Sequence, residues 1–183
     1  MPKVLVPLAD GFEEIEAITV VDLLRRAGIE VCTAGLTSRT VTGSHGIRIE
    51  ADTTLEGVDD SGFDMIVLPG GMPGAQHLRD DERILELVRA QTRRGQFTAA
   101  ICAAPSVLAA AGVLDGRTAT SFPGFLDPGT TPGLTLSHAP VVVDGRIVTS
   151  RSAGTALDFS LTLIELLAGR AVRDDVETRL KRA

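Results

Sequence analysis

The sequence predicts a doubly wound α/β fold, in which helices cover both faces of a mostly parallel sheet. Short apolar runs alternate with amphipathic segments along the 183 residues. Asp144-Gly145 stands between two β-branched runs, a signal for a two-residue hairpin because its favoured turn needs positive φ. An apolar run also leads straight into Cys102, and a helix-compatible segment follows at once.

Taken in order, strands are expected over 3–8, 29–34, 64–68, 97–101, 117–120 and the pair 140–144 and 146–150, with a smaller β excursion over 40–50. Helices are expected over 14–27, 81–94, 105–111, 154–168 and 172–181. In the first of these Ala17, Val20, Val21 and Leu24 share one face, and Gly28 closes the helix. The proline- and glycine-rich stretch 122–132 reads as a loop over one edge of the sheet and a candidate wall for a site. No repeat or linker interrupts the chain, so 1–183 is expected to form a single domain.

Composition narrows the function. With 44% hydrophobic and 23% charged residues the chain is globular, and a net charge of −6 with scattered basic residues offers nucleic acid or anionic lipid no attraction. No apolar run reaches membrane-spanning length. The start, through Val4-Leu5-Val6, is too short for a signal-peptide core and reads as a strand. Two cysteines, Cys32 and Cys102, make neither a disulfide framework nor a zinc signature, which suits a reducing cytoplasm. Gly70-Gly71-Met72-Pro73-Gly74 matches no nucleotide-binding fingerprint, so no cofactor is implied.

Ligands of open α/β sheets bind beyond the carboxyl ends of the strands. Three segments qualify: the acidic stretch from Asp10 to Glu16, the turn at Gly70 and Gly71, and Cys102. Small neighbours let the chain turn sharply at Cys102, projecting the thiol as a nucleophile, and the following helix start is expected to depress its pKa. A buried free thiol is the competing role. Gly70 and Gly71 allow close backbone approach, and an N–H there together with that of Ala103 suits a developing oxyanion. Spacing does not choose a proton shuttle among Glu13, Glu14 and Glu16, which also supply favourable charge at a helix start. His45, His77 and His138 show no metal-ligand spacing and read as surface or hydrogen-bonding residues. Cys32, alternating with its strand neighbours, reads as a core thiol.

The stretches Leu8–Glu16, Arg25–Ile29, Val67–Gly71, Ala99–Pro105, Phe122–Phe125 and Thr149–Arg151 resemble, nearly end to end, the DJ-one branch of the ThiJ/PfpI superfamily. The resemblance implies a flavodoxin-like sandwich without metal or cofactor, with Cys102 as nucleophile and Glu16 as the glutamate hydrogen-bonded to its sulfur. It places backbone donors at Gly71 and Ala103, pocket residues at Gly70 and Phe122, and a homodimer with Arg25 and Arg26 as interface candidates. The implied activity is glyoxalase- or deglycase-like, on methylglyoxal, glyoxal or their early adducts, with an oxidative-stress sensor or protective chaperone as the alternative. Ala103 replaces the histidine of the protease branch, and His138 is followed by Ala139-Pro140 rather than the amidotransferase His-x-Glu, so both activities are disfavoured. Phe122 stands where the human member of the branch has a histidine near the pocket, and Ser152-Ala153 where many relatives have Gly-Pro, which changes pocket polarity.

Overall fold

The computed structural model describes residues 1–59 and 62–182. In chain order the strands are β1 (Lys3–Leu8), β2 (Glu30–Gly35), β3 (Thr40–Thr42), β4 (Arg48–Glu50), β5 (Thr53–Thr54), β6 (Met65–Leu68), β7 (Phe97–Ile101), β8 (Thr118–Ala119), β9 (Thr135–Leu136), β10 (Val141–Asp144) and β11 (Ile147–Ser150). The helices are α1 (Glu14–Arg26), α2 (Gly74–Asp80), α3 (Glu82–Arg93), α4 (Pro105–Ala110), α5 (Ala156–Ala168) and α6 (Arg170–Leu180). Seven strands form one sheet in the order β10-β11-β7-β6-β1-β2-β5, and every pair is parallel except β10 with β11.

Strand side chains alternate between two cores, one on each face of the sheet. Val4, Val6, Leu8, Met65, Val67, Ala99 and Ile101 pack with α1, α5 and α6. Leu5, Ile66, Leu68 and Ala100 pack with α2, α3 and α4 through Leu78, Ile84, Val88, Val107 and Leu108. Strands buried on both sides read as nearly continuous apolar runs, which is why Phe97–Ile101 was visible in the sequence. The chain leaves β1 to one side for β2 and returns to its other side for β6. The carboxyl ends of β1, β6 and β7 therefore open at one rim, beside a switch in strand order.

Local chemistry sets the helix ends. Glu13 caps α1 by accepting from the Glu16 N–H at 2.8 Å, acidic residues fill the first turn, and Arg25 and Arg26 fill the last. Gly28, at φ 74°, then supplies the left-handed turn that ends the helix.

Several expectations change. Strand 117–120 shrinks to Thr118–Ala119 and pairs with Thr135–Leu136 outside the main sheet. The hairpin loop is Gly145-Arg146, since Asp144 pairs with Ile147, and only Gly145 has positive φ. Helix 154–168 begins at Ala156 behind a short 3-10 turn over Ala153–Thr155. The glycine-rich turn opens α2, a helix that is not among those expected from the sequence.

Candidate active site

The site grows from three loops at that rim. Cys102 follows β7 with φ 64°, a left-handed conformation unusual for a non-glycine residue and costing on the order of 1–2 kcal/mol. Neighbouring strands and loops hold it there. The Cys102 N–H donates to Ser150 O on β11 at 2.9 Å, and the Phe122 N–H donates to Cys102 O at 2.9 Å. The first residue of the expected loop wall is thereby tied to the elbow itself. The Phe122 ring is exposed and meets Phe125 edge-on, with centroids 6.2 Å apart.

Glu16 enters from the first turn of α1 and is fully buried. Its Oε2 accepts the Gly70 N–H at 2.8 Å, while Oε1 has no conventional hydrogen-bond donor among the described residues. The Cys102 thiol is the carboxyl's remaining polar neighbour, in a contact short of full hydrogen-bond geometry. Gly70 makes this convergence possible. A Cβ there would lie 2.7 Å from Glu16 Oε2 and 2.8 Å from both Cys102 Cβ and Ile101 O. The backbone N–H groups of Gly71, at φ 89°, and of Ala103 both serve the Cys102 sulfur. Cys102, Glu16, Gly70, Gly71 and Ala103 thus meet at one point, with Phe122 bonded to the elbow.

Electrostatics overturn one expectation. Burial pushes the Glu16 carboxyl up to about 7, against the Cys102 contact and the Gly70 N–H, which pull it down. With that carboxyl ionised, burial and its charge hold the Cys102 thiol up at about 12. The N–H groups of Ala103 and Gly71 favour the thiolate but are outweighed. A six-residue α4 contributes too little dipole to reverse the balance. Thiol and carboxyl behave as one unit holding a single proton over a wide pH range.

The other acidic residues have different tasks. Glu14 is buried and clamps the loop between β3 and β4: Oε1 accepts the His45 N–H at 2.7 Å, and Oε2 takes His45 Nδ1 at 2.9 Å. Burial raises its pKa, but the His45 side chain and the backbone donors outweigh that and bring it to about 2. Donor atoms of Glu13, Glu14 and His45 lie within 4.8 Å of one another, yet the Glu14 oxygens are already occupied by loop donors. The sequence carried the types of this clamp, an acidic residue and a polar loop, but not their pairing.

The remaining candidates sit apart. His77 Nδ1 contacts Asp10 O at 3.1 Å, and His138 O accepts from Arg151. Cys32 is half-buried against the second core. Arg25 reaches Val31 O and Asp52, and Arg26 pairs with Asp22 at 2.6 Å, so both have partners within the chain. A cleft of about 330 Å³ beside Asp10, Leu36, His77 and Asp81 does not include Cys102 or Glu16. A smaller one of about 160 Å³, between Ser121, Pro123, His138 and Arg151, lies next to Phe122.

A strand-to-helix elbow carrying a thiol, a buried carboxyl and converging backbone donors defines a cysteine site on an open α/β sheet. Residues 2–166 match the model of the DJ-1/PfpI family, and the chain belongs to that family. It is 42% identical to DJ-1beta of Drosophila melanogaster over 91% of this chain and 89% of the relative. Identity to a deglycase of Pyrococcus abyssi is 36%, over 90% of this chain and 99% of the relative. Homologue A of DJ-1 in Arabidopsis thaliana is 42% identical over 97% of this chain, but the chain spans less than half of that protein, 46%. Among solved structures, Drosophila DJ-1beta superposes with a TM-score of 0.92 at 40% identity, covering 100% of this chain and 98% of that one. Toxoplasma gondii DJ-1, in a structure described as oxidized, gives 0.92 at 36% identity with both chains covered in full. No described helix is long and apolar enough to cross a membrane.

Proposed function

We propose that the protein is a cofactor-independent, cysteine-dependent enzyme acting on small reactive aldehydes, methylglyoxal or glyoxal, or on their early adducts with amines and thiols. The observation that carries this reading is the buried Glu16 carboxyl set against the Cys102 thiol, with its pKa raised to about 7. A base with that affinity is matched to neutral pH. As the sulfur adds to the aldehyde carbon, its proton passes to Glu16, and the new oxyanion is stabilised by the N–H groups of Gly71 and Ala103. Glu16 returns that proton to the oxyanion, completing the hemithioacetal. The freed carboxylate then takes the proton from the former aldehyde carbon and delivers it to the neighbouring carbon through an enediol, leaving a thioester on Cys102. Water releases the hydroxy acid and restores the thiol. The deglycase name of the Pyrococcus relative supports the same first adduct. The site assignments are Cys102 as nucleophile, Glu16 as proton carrier, Gly71 and Ala103 as donors, and Gly70 and Phe122 as pocket residues, all on a chain acting as one domain in the cytoplasm.

Conversion of methylglyoxal to lactate without added thiol or metal tests the reading. The parent should turn over, while Cys102→Ser and Glu16→Gln should each lose about 10²-fold or more. Turnover by either variant at the parent rate overturns the mechanism.

The Toxoplasma structure described as oxidized favours a second reading, an oxidative-stress sensor. Two equivalents of peroxide would convert the Cys102 thiol to a sulfinate, each delivering one oxygen and leaving as water, with protonated Glu16 donating to the product. Intact mass after mild peroxide should then show one two-oxygen adduct at Cys102. Scattered oxidation across the chain counts against it.

A further inference from the structure

We infer that Glu13 is a positioning residue of the Cys102–Glu16 pair, joining the two loops that bring thiol and carboxyl together. The inference rests on the reading of Glu16 as proton carrier. Two different parts of Glu13 act. Its backbone N–H donates to Gly70 O at 2.9 Å, which fixes the peptide plane whose neighbouring N–H donates to Glu16 Oε2 at 2.8 Å. Its side-chain Oε2 accepts the Glu16 N–H at 2.8 Å, so the same residue fixes the backbone from which Glu16 projects. A Cβ on Gly71 would overlap the Glu13 N, showing how closely these loops pack behind the sulfur.

The second consequence is electrostatic. A glutamate is a less usual cap than serine or aspartate, and here it brings a negative charge to the turn that holds Glu16. That charge opposes ionisation of Glu16 and adds to the effect of burial. Cys102, from the elbow, is the other titratable group acting on Glu16, and the Gly70 N–H is the polar donor from the β6 loop. Glu14, one residue from Glu13, spends its charge on His45, Ser44 and Ile47 in the β3–β4 loop. Glu13 therefore does more than start a helix: its charge reinforces burial, the larger cause, in opposing ionisation of Glu16.

Carboxyl ¹³C NMR titration of the full chain tests this, with the Glu16 signal assigned by its loss in Glu16→Gln. Two neutral variants remove the charge: Glu13→Gln, which keeps the shape, and Glu13→Ser, which keeps a preferred capping oxygen. Either should lower the Glu16 midpoint by about half a pH unit or more, while Glu13→Asp should leave it near the parent value. A purely structural cap would change thermal stability and leave the midpoint in place. An unmoved midpoint in the neutral variants, or an equal fall in Glu13→Asp, overturns the inference. Methylglyoxal turnover measured on the same samples separates the two proposals. A shifted midpoint in a chain that makes no lactate sustains the role of Glu13 and rejects the aldehyde reading, whereas turnover with an unmoved midpoint does the reverse.

Discussion

A buried carboxyl that holds its proton to about pH 7 costs the fold stability, and the sign of that cost is testable at Glu16. Its ordinary value is 4.5, so between 4.5 and about 7 the folded state binds a proton that the unfolded chain has released. Stability attributable to Glu16 is therefore greatest below the unfolded value, falls as pH rises through this window, and is lowest above about 7. Glutamine can still accept the Gly70 N–H but cannot ionise. Glu16→Gln should accordingly be more stable than the parent at pH 8, by roughly 1–3 kcal/mol, with the gain shrinking towards pH 4. Urea denaturation at the two pH values reads the difference, and a variant less stable at pH 8 would contradict the assignment. A site group that destabilises the fold is expected where function rather than stability selected it. At this scale the sequence revealed residue types but not their titration. Cys102 and three glutamates were legible, and the family resemblance singled out Glu16, yet the upward shift of the thiol depends on burial and on the charge that Glu16 brings from α1.

Among the elements, the two loops behind the sulfur leave no room for change. Gly70→Ala would place a methyl 2.8 Å from Ile101 O, a backbone atom of β7 held between β6 and β11. Turnover should fall by about 10²-fold or more through displacement of Glu16 from Cys102. Retention of the parent rate would show that the contact is not needed. Glu14 clamps the β3–β4 hairpin by satisfying loop donors at His45 and Ile47. Glu14→Ala should cost about 1–3 kcal/mol by leaving those donors unpaired. The Glu14 carboxyl, with a pKa lowered to about 2, contributes stability present above its ordinary value and lost as pH falls from 4.5 towards 2. The parent should thus lose its advantage over Glu14→Ala at low pH, as followed by acid titration of the far-UV circular dichroism signal. Long apolar runs such as Lys3–Leu8 and Phe97–Ile101 were legible because parallel strands are buried on both faces. Gly74–Asp80 was not, because a seven-residue helix beginning at glycine offers barely two turns of periodicity. Thr53–Thr54 and Thr135–Leu136 are shorter than any period and exist only through their partners.

At the scale of the whole molecule, α1 has two faces with different obligations. Glu16, Ala17 and Val20 turn into the chain, while Ile15 and Ile18 remain 57% and 45% exposed. Exposed Ile47 follows the loop that Glu14 clamps against the same helix. Isolated exposed apolar residues are ordinary, but several beside one site mark an interaction surface. We propose that a second copy of the chain covers this face, forming a homodimer. Arg25 and Arg26 were the sequence's candidates for that surface. Both are paired within the chain, with Asp52 and Asp22, and the isoleucines are the exposed apolar residues of that helix. A specific dimer buries about 800 Å² on each partner, with its apolar centre contributing most of the affinity. Replacing Ile15 and Ile18 together by glutamate would put two charges at that centre with no partner. Sedimentation equilibrium should therefore find the parent at twice the chain mass and the double variant at the chain mass, with the far-UV spectrum unchanged. A parent that sediments as a monomer across the micromolar range removes the dimer, and a double variant that remains dimeric moves the interface away from α1. Glu16 and the two isoleucines belong to the same helix, so a dimer formed here would adjoin the site. Loss of turnover in parallel with loss of mass would show that the contact supports the site.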